Sequence, residues 1–287
     1  MITIRADNPS PLTGPGTNSF LVGPGRAGGG GLALIDPGPD LPAHRAAILD
    51  AAEGRIEAIL ITHAHLDHSA GARMIAGATG APIMAFGTAT AGRSALMQSL
   101  ADHDGIGGGE GLDPALIPDR LLRDQEVIEG TGWALTALHL PGHAAGHLCF
   151  ADLSADRILT GDLIFDWSST LISPPDGDLA DYMRSLARLE AMAPNQLIPA
   201  HGGAIAAPHQ RLRELAAHRR MRTAQILAAL ADGPDTAEGL AHRIYDVPPA
   251  LMGAAARNVL AHLLSLLEPG AVRYEGALSF TTVFSRA

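Results

Sequence analysis

The sequence predicts an α/β chain that ends in a winged-helix-like unit, and two observations carry that expectation. Over the first two hundred residues, short apolar runs end in polar loops marked by Gly or Pro and alternate with helical stretches, the pattern of layered strands and helices. After Pro208 the pattern changes to three long helices, 210–231, 236–244 and 249–267, followed by a hairpin-like end at 272–274 and 280–284. With 287 residues, 47% of them hydrophobic, the chain can bury a large core.

Strands are expected at 19–22, 32–35, 56–62, 82–86, 133–140, 148–153, 158–160 and 196–199, where apolar residues run to a turn signal. Helices are expected at 42–54, 70–77, 94–102 and 178–193. The last of these carries Leu179, Tyr182, Met183, Leu186 and Leu189 at helical spacing. The glycine run 28–31 lacks the spacing of a phosphate loop and reads as a hairpin tip. The change of pattern predicts two domains, 1–209 and 210–287.

Charge follows the same division. The net charge is −10 and all 20 basic residues are arginine; residues 1–210 hold 11 Arg against 23 Asp and Glu, a difference of −12, and the remainder differs by +2. Such a total gives no help to polyanion binding. No apolar run approaches the roughly 18 residues of a membrane span, and Met1 to Pro9 lacks a charged segment followed by an apolar one. The single cysteine, Cys149, allows no intrachain disulfide and reads as a small buried residue. A cytoplasmic protein without membrane contact is therefore expected.

The chemistry concentrates in Thr62-His63-Ala-His65-Leu-Asp67-His68, four potential metal ligands within six residues, placed after an apolar strand and ahead of a helix. Imidazole nitrogen and carboxylate oxygen suit zinc, and in a tight loop two histidines two apart can face one metal while the next acid and histidine face another. Further ligands are expected at other strand ends, since separate strands must deliver them above one sheet edge. His143 after Pro-Gly, Asp162 after Thr-Gly and His201 before Gly-Gly meet that condition. His147 opens the next strand and is expected to back the ligands rather than join them. His139 reads as a strand residue with a packing or outer role. His44, His103, His209, His218, His242 and His262 read as residues of solvated faces.

The His-x-His-x-Asp-His run, Pro-Gly-His143, Gly-Asp162 and Ala-His201-Gly, in that order, resemble the metallo-β-lactamase superfamily over residues 1–205. The resemblance implies an αββα sandwich with two Zn2+ per chain, the first held by His63, His65 and His143, the second by Asp67, His68 and His201, with Asp162 bridging. It further implies a metal-bridging hydroxide as nucleophile, with Asp67 as the catalytic residue that orients it and accepts its proton. Asp36, in Ile-Asp-Pro-Gly, is similar to the family's turn acid, which supports the metal loop without binding metal. No Ser or Cys nucleophile is needed, and Gly-x-Ser-x-Gly does not occur.

Asp162 and His68 together set the chain apart from the true β-lactamases of that superfamily, which commonly replace or lack the bridging acid. The start, residues 8–23, and the winged-helix-like tail resemble the β-lactamase-like protein 2 group, which includes a single-strand endoribonuclease and to which fungal polyketide thioesterases are related. The absence of lysine argues against a hydroxyacylglutathione hydrolase. Three readings follow: hydrolysis of a small acyl substrate (thioester, ester or lactone), single-strand RNA cleavage, and a silent binding protein. The full ligand set disfavours the last, and the acidic catalytic half favours acyl over RNA. Arg211, Arg213, Arg219, Arg220 and Arg222 are the best feature for RNA, while a solvated helix face would explain them equally. Substrate contacts are expected from 165–173, including Trp167, and from 102–109. The presumed recognition helix offers only Arg257, Asn258 and His262 to a nucleic acid, so the tail is expected to shape or cover the active site.

Overall fold

In the computed structural model, which describes residues 1–24, 29–103 and 105–287, two sheets stack face to face. With strands numbered in chain order, the first sheet runs β1 (Ile2–Arg5), β2 (Asn18–Val22), β3 (Leu32–Ile35), β4 (Ile56–Leu60), β5 (Ile83–Ala85) and β6 (Arg120–Leu121). The second runs β11 (Gln196–Pro199), β10 (Arg157–Gly161), β9 (Leu148–Asp152), β8 (Trp133–His139) and β7 (Val127–Gly130).

Strand residues alternate between two cores. Ala33 and Ile35 of β3 point between the sheets with Phe20, Leu60, Phe150 and Leu159, while Leu32 and Leu34 point outward. The outward set packs on Ile48 and Ala52 of α1 (Pro42–Ala52) and on Ile75 of α3 (Ala72–Thr79). Behind the second sheet, Leu138, Cys149 and Ile158 meet Tyr182, Leu186 and Leu189 of α5 (Leu179–Met192) and Leu212 and Leu215 of α6 (Pro208–Ala231). Because central strands are covered on both faces, β2, β3 and β9 are buried throughout, which is why 20–22, 32–35 and 148–151 read as unbroken apolar runs. The result is an αββα sandwich. Cys149 is fully buried, and burial pushes its thiol pKa far up, as expected of a packing residue.

The metal loop itself opens a short helix, α2 (Leu66–Ser69), so the single helix expected at 70–77 is instead α2 followed by α3. Strands β1, β6 and β7 were not expected: they are short edge strands whose exposed positions mix polar residues with Ile2, Leu121 and Val127, so no apolar alternation marks them. Of the glycine run 28–31, Gly28 lies outside the described residues, as does Asp104 of the 102–109 stretch.

The tail joins the second half of α6 to α7 (Ala237–Ile244), α8 (Pro249–Ser265) and a three-stranded sheet in the order β12 (Asp235–Thr236), β14 (Val283–Arg286), β13 (Val272–Tyr274). Ile226, Leu230, Leu240, Val259, Leu263 and Phe284 form its core, and Met97 and Leu100 of α4 (Ala95–Ala101) pack into it from the sandwich. The closing strand begins three residues later than expected, and β12 was not foreseen. Among the described residues no helix is long and apolar enough to cross a membrane.

Two histidines expected on solvated faces are buried. His44 meets Ser19 Oγ at 2.8 Å. His262, fully buried on α8, has Nδ1 2.9 Å from Thr223 Oγ1 of α6, and its Nε2 has no hydrogen-bond partner among the described residues. Burial, with Arg219, His218 and Arg222 nearby, pushes its pKa down to about 3. Between an unfolded value of about 6.5 and that folded value the unfolded chain binds the extra proton, so the contribution is complete above pH 6.5 and is lost as pH falls. Thermal melts between pH 7 and pH 4 are expected to show a shallower decline for His262→Gln than for the parent chain. Parallel declines would remove His262 from the acid response.

Candidate metal centre

The seven predicted ligands meet at the ends of four strands. His63 follows β4, His143 follows β8 through Pro141-Gly142, Asp162 follows β10 directly, and His201 follows β11 through Ala200. Thr62, buried beside His63, closes the strand end: its hydroxyl contacts His63 Nδ1 at 3.0 Å, and its carbonyl accepts from Leu148 N at 2.7 Å across the two sheets. Glycine is required at 161. It sits at φ +49°, where a Cβ would lie 2.7 Å from His147 Nε2 and 2.8 Å from Thr62 Oγ1.

Ligand-capable atoms of His63, His65 and His143 lie together, as do those of Asp67, His68 and His201, and those of His63, His68 and Asp162. In the first group His65 Nδ1 is 3.0 Å from His63 Nε2 and 3.1 Å from His143 Nε2. Nitrogens bound to one tetrahedral zinc at about 2.0–2.1 Å stand roughly 3.3 Å apart, so the spacing fits. In the second group Asp67 Oδ2 is 3.5 Å from His68 Nε2 and 3.4 Å from His201 Nε2. Asp162 reaches both: Oδ1 is 3.3 Å from His68 and 3.2 Å from His201, while Oδ2 is 3.8 Å from His143. His68 Nε2 and Asp162 Oδ1 are buried without a hydrogen bond among the described residues. Buried polar atoms are almost always partnered, so this pair has the character of ligand atoms.

The far sides of the His68 and His143 rings are fixed. Asp36, fully buried at φ +48°, accepts from Thr62 N at 2.8 Å and Thr62 Oγ1 at 2.7 Å, and its Oδ2 is 2.9 Å from His68 Nδ1. His143 Nδ1 lies 2.8 Å from Leu171 O and 3.0 Å from Thr170 Oγ1. Carbonyl and carboxylate acceptors on Nδ1 keep the proton there and leave Nε2 as the donor of a lone pair. His147 is no member of the three groups. Its Nε2 accepts from Asp162 N at 3.2 Å and its ring stacks on His63 at 5.1 Å, so it holds the end of β10 from below. His139 stacks on Phe86 at 4.1 Å, away from the cluster.

Burial and neighbouring imidazoles hold His63 well below the ordinary histidine range, His65 down to about 3, and His143 below it as well. These three are neutral, the form that binds metal. Burial opposes charge on His68 and His201 too, yet Asp162 and Asp67 outweigh it, raising His68 well above the usual value and His201 to about 9. Against the same burial, those histidines hold Asp67 at about 2 and Asp162 well below the carboxylate range. A bound cation would take over from the two protons in compensating the acids.

Two cavities open from the cluster, both touching His65 and His143. One, of about 380 Å³, also meets Asp67, Asp162 and His201 and is walled by Leu12, Phe165, Trp167, Tyr245 and Leu251. Trp167 stands there as expected, stacked on Phe165 at 5.1 Å and 45% exposed. The other, of about 580 Å³, runs past Ile106, Leu171 and Phe280. Helix α8 borders both: Ala254 is shared, Gly253 and Arg257 face the larger cavity, and Leu251, Ala255 and Asn258 face the smaller.

The arginines of α6 do not form the basic face considered from sequence. Arg219 is 2% exposed, its Nη1 3.0 Å from Asn258 Oδ1, its Nη2 donating to Thr170 O, its guanidinium over Tyr182. Arg211 donates to Phe165 O at 2.7 Å and to Ser168 O, and Arg222 lies over Tyr245. Only Arg213 and Arg220 of the five are exposed. Asn258 also accepts from Ile172 N at 3.1 Å. Sequence reasoning missed Thr62, Thr170, Arg219 and Asn258 as supports of the centre; Thr62 was findable as the residue closing the strand before His63, whereas nothing distinguishes Arg219 from Arg220 in sequence.

The family model of the metallo-beta-lactamase superfamily matches residues 12–201, and that of the beta-lactamase associated winged helix domain matches residues 236–280. A beta-lactamase-like protein 2 homolog of Drosophila melanogaster is 30% identical over 282 residues, 95% of this chain and 89% of that protein. An atrochrysone carboxyl ACP thioesterase of Aspergillus chevalieri is 28% identical over 81% of this chain and 66% of its own length. A metallo-beta-lactamase family protein of Thermus thermophilus is 28% identical with a TM-score of 0.79, covering 100% of this chain and 98% of that one. A protein solved in a di-iron-bound form is 27% identical with a TM-score of 0.55 over 73% of this chain and 96% of its own.

Asp36→Asn keeps size and tolerance of positive φ but turns an amide donor toward Thr62 or His68. It is expected to cost about 1–3 kcal/mol of stability and to weaken metal retention by about 10–100-fold. Thermal melts and competition with a chelator measure the two; unchanged retention would mean that Asp36 does not orient His68.

Proposed function

The chain belongs to the metallo-beta-lactamase superfamily and is a metal-dependent hydrolase, and from that premise we propose that it uses two zinc ions to hydrolyse a small acyl substrate, a thioester, ester or lactone. The observation that carries the two-metal reading is Asp162, whose two oxygens turn to different histidine groups. In this reading His63, His65 and His143 hold one ion, Asp67, His68 and His201 the other, and Asp162 bridges. Zinc ions so held would supply water of lowered pKa, about 7, and would polarise the oxygen that gains charge. We take residues 1–209 as the catalytic domain and 210–287 as the winged-helix-like domain that roofs it.

The protein's own contribution is orientation and proton handling. Asp67 is ionised and partly open to the smaller cavity, and its contacts with Thr17 Oγ1 at 3.2 Å, His68 and His201 all use Oδ2. Its Oδ1 is thereby left to accept the proton of the attacking water. Asp36, Thr170 and the Leu171 carbonyl keep the histidines aimed, and the apolar cavity walls exclude competing water. An acyl group fits those walls, and the thioesterase among the relatives supports it. Single-strand RNA cleavage is the alternative that shares the same metal chemistry, and the inward turn of Arg211, Arg219 and Arg222 removes the basic path it would need.

A panel of acyl thioesters, aryl esters, lactones, a β-lactam and single-stranded RNA, run with zinc-loaded protein, tests the assignment. Acyl turnover is expected, with Asp67→Ala lowering kcat/KM by at least about 100-fold while the melting temperature stays close to that of the parent. Metal-dependent RNA cleavage without acyl turnover would overturn the ranking, and near-normal turnover by Asp67→Ala would remove it from the mechanism.

A further inference from the structure

The larger cavity has a composition that the metal centre does not explain. Its inner end is His65 and His143 and its walls are Ile106, Leu171, Ala254 and Phe280, so its body is apolar. Among its lining residues the sole arginine is Arg257 of α8, whose side chain is 11% exposed. Nη1 donates to Ile106 O at 2.6 Å and the guanidinium lies 5.4 Å from the Phe280 ring centre, which fixes it in place. Nη2 stands 3.5 Å from Glu110 Oε2, longer than a made hydrogen bond, and Glu110 is 76% exposed. The cavity's other acid, Asp176, is already satisfied by Arg93 and by Gly109 N at 2.8 Å.

We propose that this cavity takes the acyl part of the substrate and that Arg257 binds a carboxylate at the far end of that acyl group. The inference rests on the acyl-hydrolase reading and deepens it, naming an ω-carboxyacyl compound as the substrate class. A guanidinium held in a mostly apolar pocket, with its nearest acid exposed and beyond bonding distance, gains most from a planar anion that accepts from its free edge. With Asp176 paired to Arg93, the single cation Arg257 matches a single negative charge, a carboxylate, better than a doubly charged phosphate. Glu110 swings into solvent when the ligand enters. The scissile bond then lies at His65 and His143, where the two cavities meet, and the leaving group occupies the smaller one beside Trp167.

Gly253 provides an independent handle on the same cavity. It lines the cavity from α8, and a Cβ placed there meets nothing within 4 Å, so a larger side chain would fill space without displacing protein atoms.

Calorimetric titration of the zinc-loaded protein with two non-hydrolysable thioethers of equal length, one ending in a carboxylate and one in a methyl group, tests the proposal. The parent chain is expected to bind the carboxylate form at least about 10-fold tighter, Arg257→Gln to bring the two within about twofold, Arg257→Lys to retain part of the preference, and Gly253→Leu to weaken both. Melting temperatures check that each variant is folded. A parent chain without preference, or a preference that survives Arg257→Gln because the carboxylate sits on the metals, would overturn the assignment. Turnover of the matching thioesters is read separately. Arg257-dependent binding without any acyl turnover would leave the carboxylate site standing and sink the acyl-hydrolase reading instead.

Discussion

Burying the Asp162 carboxylate at the end of β10 is the constraint to which the rest of the centre answers. Removing an ionised carboxylate from water costs several kcal/mol unless partners replace the lost hydration. His68 and His201 stand within 3.3 Å of its Oδ1, and its backbone N–H is taken up by His147. Each partner needs its own support, and each has one: Asp36 behind His68, the Gly16 carbonyl 3.3 Å behind His201, His63 stacked against His147. The strand ends deliver these residues because β4 runs parallel to β3, β10 runs parallel to β11, and the ligands follow the ends of these strands at one edge. Gly161 is the point at which the chain passes close enough to let Asp162 enter the cluster.

The winged-helix-like unit is tied into this arrangement rather than appended to it. Its helix α8 would be the reading helix of a nucleic-acid binder, yet its three polar candidates all turn toward the protein: Arg257 to Ile106, Asn258 to the 170–172 strap, His262 to Thr223. Arg219 completes the tie, since one guanidinium joins α6 to Asn258 and to Thr170, and Thr170 and its neighbour Leu171 contact His143. A buried arginine with hydrogen bonds to neutral groups is costly to desolvate and sensitive to geometry, so residues 170–172, helix α8 and His143 hold a common position.

Much of this was legible in the sequence, for identifiable reasons. Strands covered on both faces announce themselves as apolar runs, and a strand must end where its polar ligands begin, so the positions of His63, Asp162 and His201 followed from pattern alone. Helix starts were marked by Ser94, Asp178 and Thr236, each of which accepts from the first turn. Edge strands β1, β6, β7 and β12 were not legible, because they are two to four residues long and nearly all of those residues are exposed or half-buried, which leaves no apolar pattern. Direction was the other blind spot. Helical position alone does not say that Arg213 and Arg220 face solvent while Arg211, Arg219 and Arg222 turn inward, or that His44 and His262 are buried; that depends on which neighbour covers the helix. The cavity beneath α8 is likewise a property of two distant segments meeting, Gly105 to Gly107 and Gly253 to Arg257.

The claim on which everything else turns is that Asp162 joins two metal sites, and metal stoichiometry addresses it most directly. Anomalous diffraction at the zinc edge, with elemental analysis of the same protein purified without added metal, is expected to give two peaks about 3.5–4 Å apart, one among His63, His65 and His143 and one among Asp67, His68 and His201. Asp162→Ala is expected to lose at least one of them. A single peak, with its occupancy unchanged in Asp162→Ala, would contradict the account.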